Sequence, residues 1–409
     1  MNIHVWVPDY ASAIGGIQTF SRFLVRALRE IYPEARICVL SKNDTSYPDA
    51  DQDWTTNFTP LGWWPLKLRT AAFSAELFRQ AATDRPDLII TTHPNFAPLA
   101  LSLQKLFRIP FIAVGHGIDV WEISGGSIRN ALAHATPLVA VSEFTRQRMA
   151  AAVGMNSDAI RVLPNTFDPE KFTLGSKPRF LLKRYGLMPK QPVILTISRL
   201  ASVERYKGYD QVLLALAAVR EEFPDVRYIL GGRGPDRPRV EALIEKLGVR
   251  DNVILAGYVP EHELRAHYNL CDVFAMPSKG EGFGIVFLEA MACGKPVIAG
   301  NKDGSVDAVL GGELGALVDP DSVQEIAETL IAILERQKAE IVKTEKLKEK
   351  VEGAVLRSPN SDLRELHAPI PLPDIMFDPE ALRARVIEAY GYERFKERLR
   401  DVLAPLLKS

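Results

Sequence analysis

The residues best suited to chemistry lie in the run Gly280-Glu281-Gly282-Phe283-Gly284-Ile285-Val286-Phe287-Leu288-Glu289-Ala290. Strand-like text ending at Met276-Pro277 enters a glycine-rich turn and then a helix. Such glycines let main chain approach a ligand closely. A helix starting near Gly284 offers unpaired N–H groups and a positive dipole end to anionic or polar ligand groups. Glu281 and Glu289 bracket the turn at positions that fit two parts of one extended ligand, with no need for joint acid/base work. A second cluster is Ser198-Arg199-Leu200 followed by Glu204-Arg205-Tyr206-Lys207-Gly208. Fixed cations at a strand end can meet an anionic group, although each alone reads as a solvated surface charge. His116 sits just past a strand in Gly115-His116-Gly117-Ile118-Asp119, where a structural histidine is the plain reading. Asp119 reads as a helix cap or turn residue, and Gly15-Gly16 as an ordinary turn. The run Gly231-Gly232-Arg233-Gly234 fails as a dinucleotide fingerprint, because Arg237 occupies the third glycine position. That weakens an oxidoreductase reading.

These residues need elements to hold them. Short β-branched runs alternate with amphipathic stretches along the chain. The first series predicts strands at Ile3–Val7, Arg36–Leu40, Asp87–Thr92, Pro110–Gly115, Pro137–Val141 and Ile160–Leu163. Ile17, Phe20, Leu24, Ala27, Leu28 and Ile31 mark one helical face, and Ser142 caps a predicted helix over Glu143–Val153. The proline-bearing segment Pro164–Pro178 breaks the pattern. A second series follows at Val193–Ser198, Arg227–Leu230, Asn252–Tyr258, Asp272–Pro277, Pro296–Gly300 and Ala316–Val318, ending in a helix over Ser322–Glu335. Repeated strand–helix–strand text means parallel sheets with helices on both faces. The expected architecture is α/β, with two doubly wound Rossmann-like domains facing a cleft. Residues 1–170 form the first domain and 171–387 the second. The second includes a charged, proline-rich insert at about 336–377, read as a solvated helix and surface loop. Pro379–Leu407 reads as helical, with 388–409 crossing back to the first domain.

The two glutamates, embedded between Asp272-Val273-Phe274-Ala275-Met276-Pro277-Ser278 and Ala292-Cys293-Gly294-Lys295-Pro296-Val297-Ile298-Ala299, resemble the signature of glycosyltransferase family 4, retaining enzymes of GT-B architecture. The resemblance runs from Gly15 to about Pro320, with Tyr390–Phe395 similar again. It implies that Glu281 lies by the donor sugar hydroxyls and Glu289 binds the ribose, tasks that suit a carboxylate accepting from a vicinal diol. It implies that Arg199 and Lys207 hold the donor diphosphate, with Arg205 as a helper, stabilising charge on the leaving group. It gives Gly15, Gly16, Gly282, Phe283, Gly284 and Ile285 to the donor phosphates and sugar, and Tyr258 and Val259 to the base edge. His116 would face the donor sugar and stabilise positive charge at the anomeric centre, and Asp119 would touch the acceptor. The chain departs from the family pattern at Asp303-Gly304-Ser305-Val306-Asp307, where many relatives carry a glycine pair and a glutamate, and in the length of the insert.

The implied reaction is hexosyl transfer from a nucleotide-sugar to a glycan or lipid-linked acceptor hydroxyl with retention, in polysaccharide or glycolipid synthesis. No metal or other cofactor is expected, since Arg199 and Lys207 take the place of a divalent cation. The text leans to GDP-mannose as donor, ahead of UDP-glucose and UDP-N-acetylglucosamine. A sugar-nucleotide epimerase or a silent nucleotide-sugar-binding subunit shares the architecture. Composition agrees with a folded soluble protein: 409 residues, 47% hydrophobic, 25% charged, 8% aromatic and net charge -1. That balance gives no global attraction to nucleic acid or anionic membrane. No apolar run approaches the ~20 residues of a membrane span. A cytoplasmic protein is expected, with peripheral contact at the inner face of the membrane left open. Trp63-Trp64 reads first as a loop folded onto the core, then as a sugar or lipid contact. The three cysteines, Cys38, Cys271 and Cys293, are too dispersed for a metal-spaced cluster and read as buried thiols.

Overall fold

The computed structural model describes residues 1–11, 15–47, 57–123, 125–351 and 372–406, with main chain alone described at 341 and 343–351. The chain divides into two compact units. One comprises Met1–Asp168, Gly280–Ile285 and Glu388–Ser409, and the other Pro169–Lys279 and Val286–Ile387.

The first unit holds seven described strands: β1 (Asn2–Val7), β2 (Arg36–Ser41), β3 (Asn57–Pro60), β4 (Leu88–Thr91), β5 (Phe111–Gly115), β6 (Leu138–Ala140) and β7 (Ile160–Val162). They form one parallel sheet in the order β3-β2-β1-β4-β5-β6-β7. The second unit holds β8 (Val193–Ile197), β9 (Arg227–Gly231), β10 (Val253–Gly257), β11 (Val273–Met276), β12 (Val297–Gly300) and β13 (Ala316–Val318). Their order, again all parallel, is β10-β9-β8-β11-β12-β13. Helices cover both faces of such sheets, so the central strands are apolar runs that do not alternate, whereas the edge strand β3 does. Ile3, Val5, Trp6 and Val7 of β1 are all fully buried, as are Ile194 and Leu195 of β8. Helix Gly16–Ile31 buries Phe20, Leu24, Ala27 and Leu28, the face that its spacing foretells. In the second unit Tyr209, Leu213, Leu216, Tyr228, Leu230 and Leu330 meet in one core. Each large side chain so removed from water contributes roughly 1.5–3 kcal/mol.

All twelve expected strands are within one residue of their predicted ends, and Ala316–Val318 coincides with its prediction. The edge strand β3 was not foreseen; Asn57-Phe58-Thr59-Pro60 is too short and polar to stand out. The last helix of the second series runs over Val323–Val351, well past Glu335. The charged stretch Lys338–Lys350, expected as a solvated helix, is helical, but it continues the preceding helix without a break, since it contains neither glycine nor proline to stop one. Positions 352–371 of the expected insert lie outside the described residues. The stretch expected to be helical over Pro379–Leu407 is two helices, Pro379–Tyr390 and Tyr392–Leu403, with Gly391 in extended conformation between them.

Strand order reverses between β1 and β4 in one sheet and between β8 and β11 in the other. Open α/β sheets bind ligands in the crevice beyond the carboxyl ends at such a reversal. Arg199 follows β8 by two residues and the Gly280–Gly284 turn follows β11. His116 follows β5 directly.

Candidate functional site

In the second unit the Arg199 segment is held by main chain. Ser198 N–H donates to Gly231 O (2.9 Å), Leu200 N–H to Arg233 O (3.1 Å) and Asp236 N–H to Leu200 O (2.9 Å). The run that looked like a dinucleotide fingerprint thus serves to fix the exit of β8. Arg199 is exposed, and its guanidinium is oriented by Glu204 through Nε (3.3 Å) and a second, shorter contact from Nη2. Glu204 is itself buried. Its service to Arg199 was not legible, because the carboxylate lies five residues on, across a short 3-10 turn, Ser202–Lys207.

Lys207 ends that turn, half-buried, with its ammonium 5.6 Å from the Tyr206 ring centroid. Gly208 follows at φ 81°, and a Cβ there would lie 2.2 Å from Pro277 O, so only glycine brings the turn this close to the end of β11. Lys279 N–H closes the contact by donating to Tyr206 O (2.9 Å). Arg205 instead bonds Asp210 (3.2 Å), which also accepts from Arg239 (2.9 Å). Arg205 is therefore tied into a salt network beside the turn.

Glu289 lies on helix Ile285–Ala292 and accepts from the Tyr268 hydroxyl (2.6 Å). Burial pushes its carboxyl up to about 7, against the Tyr268 bond and the charge of Lys171. The folded chain therefore holds this proton more tightly than the unfolded chain. Such a carboxyl weighs against folding increasingly as pH rises from about 4.5 to about 7 and adds nothing further above that. Glu289→Gln should accordingly match the parent in thermal melts at pH 4 and exceed it in Tm at pH 8. Equal melting temperatures at both pH values would refute the shift. Tyr258 is exposed under the Arg233 guanidinium (4.8 Å to the ring centroid), while Val259 is buried. The atypical loop is tied to itself and to the exit of β11: buried Asp303 accepts from Ser305 N–H (2.9 Å) and from Ser278 Oγ (2.7 Å).

The first unit carries the other set. Gly282 is clamped on two sides. Its carbonyl accepts from Ser142 Oγ (2.6 Å) and Thr145 Oγ1 (3.2 Å), and Ser142 Oγ also accepts from Thr145 N–H (3.0 Å) as the helix cap. On the other side a Cβ at Gly282 would fall 1.6 Å from His116 O. His116 packs edge-on against Phe20 (4.9 Å). Its Nε2 is buried without a protein hydrogen-bond partner. Burial, then nearby His93, hold the imidazole down to about 3, opposed by a hydrogen bond with the Thr92 main chain. The ring is therefore neutral near pH 7 and can offer an N–H or a lone pair, but no ammonium-like charge.

Asp119 accepts the His116 N–H (3.0 and 3.3 Å) and bonds main chain at Gly117 and its own residue. Burial raises its carboxyl to about 6, and those bonds oppose the rise. The turn reading of Asp119 is the one its contacts bear out, and its carboxylate is already engaged in holding the His116 loop. Glu281 is half-buried. Phe283 is buried edge-on against Tyr390 (5.2 Å), so only its main chain could meet a ligand. Gly284 takes φ 95° and Ile285 opens the helix. Gly15 is extended and precedes helix Gly16–Ile31, and a Cβ at Gly16 would touch nothing within 4 Å.

Trp63 and Trp64 are not folded onto the core, as was the first expectation. They are 72% and 49% exposed, beside Leu66 (78%) and Leu68 (55%), because Pro65 begins a helix that turns its first residues outward. All three cysteines are free and buried. No helix among the described residues is long and apolar enough to cross a membrane.

Residues 179–351 match the family model for glycosyl transferases group 1, and residues 14–171 the model for glycosyltransferase family 4. The chain is 37% identical over 246 residues to a GDP-mannose-dependent alpha-(1-6)-phosphatidylinositol monomannoside mannosyltransferase of Mycolicibacterium smegmatis. That match takes in 56% of this chain and 63% of the relative, so the chain spans less than two thirds of that relative's length. It is 29% identical over 350 residues to a GDP-mannose-dependent monoacylated alpha-(1-6)-phosphatidylinositol monomannoside mannosyltransferase of Corynebacterium glutamicum, covering 80% of this chain and 87% of the relative. Its fold is similar to that of Anabaena HepE, solved in complex with UDP (TM-score 0.74, 19% identity, 99% and 100% of the two chains). Sucrose-phosphate synthase of Thermosynechococcus elongatus has the same fold (TM-score 0.73, 19% identity, 99% and 98% covered).

Proposed function

Given that the chain belongs to the group 1 glycosyltransferases, we propose that it transfers a hexosyl group, mannosyl from GDP-mannose in the first place, to a lipid-linked acceptor hydroxyl with retention. One observation carries this reading: Arg199 and Lys207 are both anchored at the strand-order reversal of the second sheet, the place at which open α/β sheets bind ligands. The proposal gives the donor diphosphate to those two cations and the ribose to Glu289. The sugar goes to Glu281 and to the loop formed by His116 and Gly282, and the base to the main chain at Tyr258 and Val259. The GDP-mannose preference rests on the text around both glutamates and on the donor that the relatives' names specify.

In this reaction the bond from anomeric carbon to phosphate oxygen breaks and a bond to the acceptor oxygen forms on the same face. The acceptor proton passes to the leaving phosphate oxygen, so no protein base is required. Positive charge builds at the anomeric carbon, where a main-chain carbonyl such as that of His116 is a suitable neighbour. Negative charge builds on the diphosphate, where Arg199 and Lys207 answer it without a metal ion. A neutral His116 fits a hydrogen-bonding role toward a sugar hydroxyl.

The exposed Trp63, Trp64, Leu66 and Leu68, interleaved with Lys67 and Arg69, suit an anionic lipid surface carrying the acceptor. Calorimetric titration with GDP-mannose, UDP-glucose and UDP-N-acetylglucosamine tests the donor. Product analysis with and without phosphatidylinositol mannosides in anionic vesicles then tests transfer. Tight binding of GDP-mannose and acceptor-dependent mannosyl product are expected, with transfer to the vesicle-borne acceptor reduced in Trp63→Ser/Trp64→Ser. Free sugar formed without acceptor would favour an epimerase, and binding without turnover a silent subunit.

A further inference from the structure

The pairing of β1 with β2 sets His4 opposite Cys38. Partners in register on parallel strands point to one face of the sheet. On that face stands Asp84, the last residue of helix Leu66–Asp84. One ligand atom from each of His4, Cys38 and Asp84 lies within 4.8 Å of the other two. Among the described residues, no other three His, Cys, Asp or Glu side chains meet in this way. His4 is fully buried, neither of its ring nitrogens has a hydrogen-bond partner, and Nε2 stands 3.9 Å from Asp84 Oδ2. An unpartnered imidazole in a core is costly, and coordination of an ion shared with the neighbouring thiol and carboxylate would satisfy it. A cation already attends the cluster. The Arg36 guanidinium reaches Asp84 (3.5 Å) and hydrogen-bonds Cys38, with 54% of its side chain in solvent.

We propose that His4, Cys38 and Asp84 bind one borderline-soft divalent ion, zinc(II) foremost, which displaces the Arg36 guanidinium. One nitrogen, one sulfur and one oxygen donor form a set that zinc accepts, with a fourth position left to solvent on the Asp84 side. Zinc–ligand bonds of roughly 2.0–2.3 Å place tetrahedral donors about 3.3–3.8 Å apart, so the cluster need contract by only about 1 Å. On binding, the Cys38 thiol releases its proton to water, and the departing guanidinium swings into solvent. Thiolate and carboxylate then balance the charge of the ion. The site shares no residue with those proposed for the donor, so it stands or falls separately. Its effect is on the first unit's stability, since an ion bound only by the folded chain raises Tm by mass action.

The test uses the full chain without an affinity tag, stripped by chelator and titrated with cobalt(II) or zinc(II). One equivalent of cobalt should give a thiolate charge-transfer band in the near ultraviolet, zinc should bleach it, and zinc should raise Tm. The band should vanish in Cys38→Ser. Asp84→Asn, at a solvent-facing helix end, should weaken zinc binding at least tenfold with unchanged circular dichroism. Arg36→Gln should strengthen it, because the competing cation is gone. Absence of a thiolate band, its survival in Cys38→Ser, or no gain of affinity in Arg36→Gln would overturn the proposal. If Cys38→Ser fails to fold, the other two variants decide.

Discussion

Lys207→Ala is expected to lower kcat/KM for sugar transfer by about 10^3-fold, as loss of one fixed group facing transition-state charge commonly does. The size of the effect follows from placement. The ammonium sits at the end of a 3-10 turn that Gly208 presses against Pro277 O and that Lys279 N–H pins at Tyr206 O. Little reorganisation is then needed when charge gathers on the diphosphate. The side chain is only half-buried, so the substitution should move folding stability by roughly 0.5 kcal/mol or less. Steady-state kinetics paired with thermal melts check both halves. A variant that keeps near-parental turnover, or one whose loss is matched by unfolding, would remove Lys207 from the reaction. Arg199→Lys should fall short of full activity for a different reason: a lysine cannot reproduce the two-pronged grip on Glu204.

Gly282→Ala should cost about 10^2-fold or more in kcat while leaving the global fold intact, in line with the penalty for a displacement of about 1 Å in reacting geometry. The added methyl would lie 1.6 Å from His116 O, which no side-chain motion can relieve, because the obstacle is main chain. The loop must move instead, breaking the bonds from Ser142 and Thr145 to the Gly282 carbonyl. Donor affinity should suffer less than kcat, since Arg199, Lys207 and Glu289 are untouched. Unchanged kcat in Gly282→Ala would show that the His116 loop takes no part in the transfer.

Much of the frame was legible because parallel strands buried on both faces write themselves as short β-branched runs. What escaped notice lacks such a signature. Edge strand β3 reads as loop text, and nothing in the text shows that the charged stretch, read as a separate solvated helix, continues the one before it as Val323–Val351. Of the candidate site, the residues at strand ends could be found from position and family likeness. Their partners could not: Tyr268 for Glu289, Glu204 for Arg199, and Ser142 with Thr145 for Gly282 are set by the fold and far from obvious in the text. Ser142 was read correctly as a helix cap, yet the same hydroxyl also holds Gly282, 140 residues on. Asp119 is engaged by its own turn, and Phe283 by Tyr390, so neither side chain stands ready as an isolated motif would suggest. The cluster of His4, Cys38 and Asp84 has a spacing that no cysteine count could reveal.

The first unit is assembled from three separated pieces of chain, and the last of them includes helix Tyr392–Leu403. Phe395 of that helix packs edge-on against Phe20 (5.8 Å), Lys396 bonds Glu30 (2.7 Å), and Arg26 covers the Tyr392 ring (4.2 Å). During synthesis, ribosomes deliver the partners on helix Gly16–Ile31 at least 366 residues before the residues that cover them. That face of helix Gly16–Ile31 must therefore wait bare until translation has passed through everything in between.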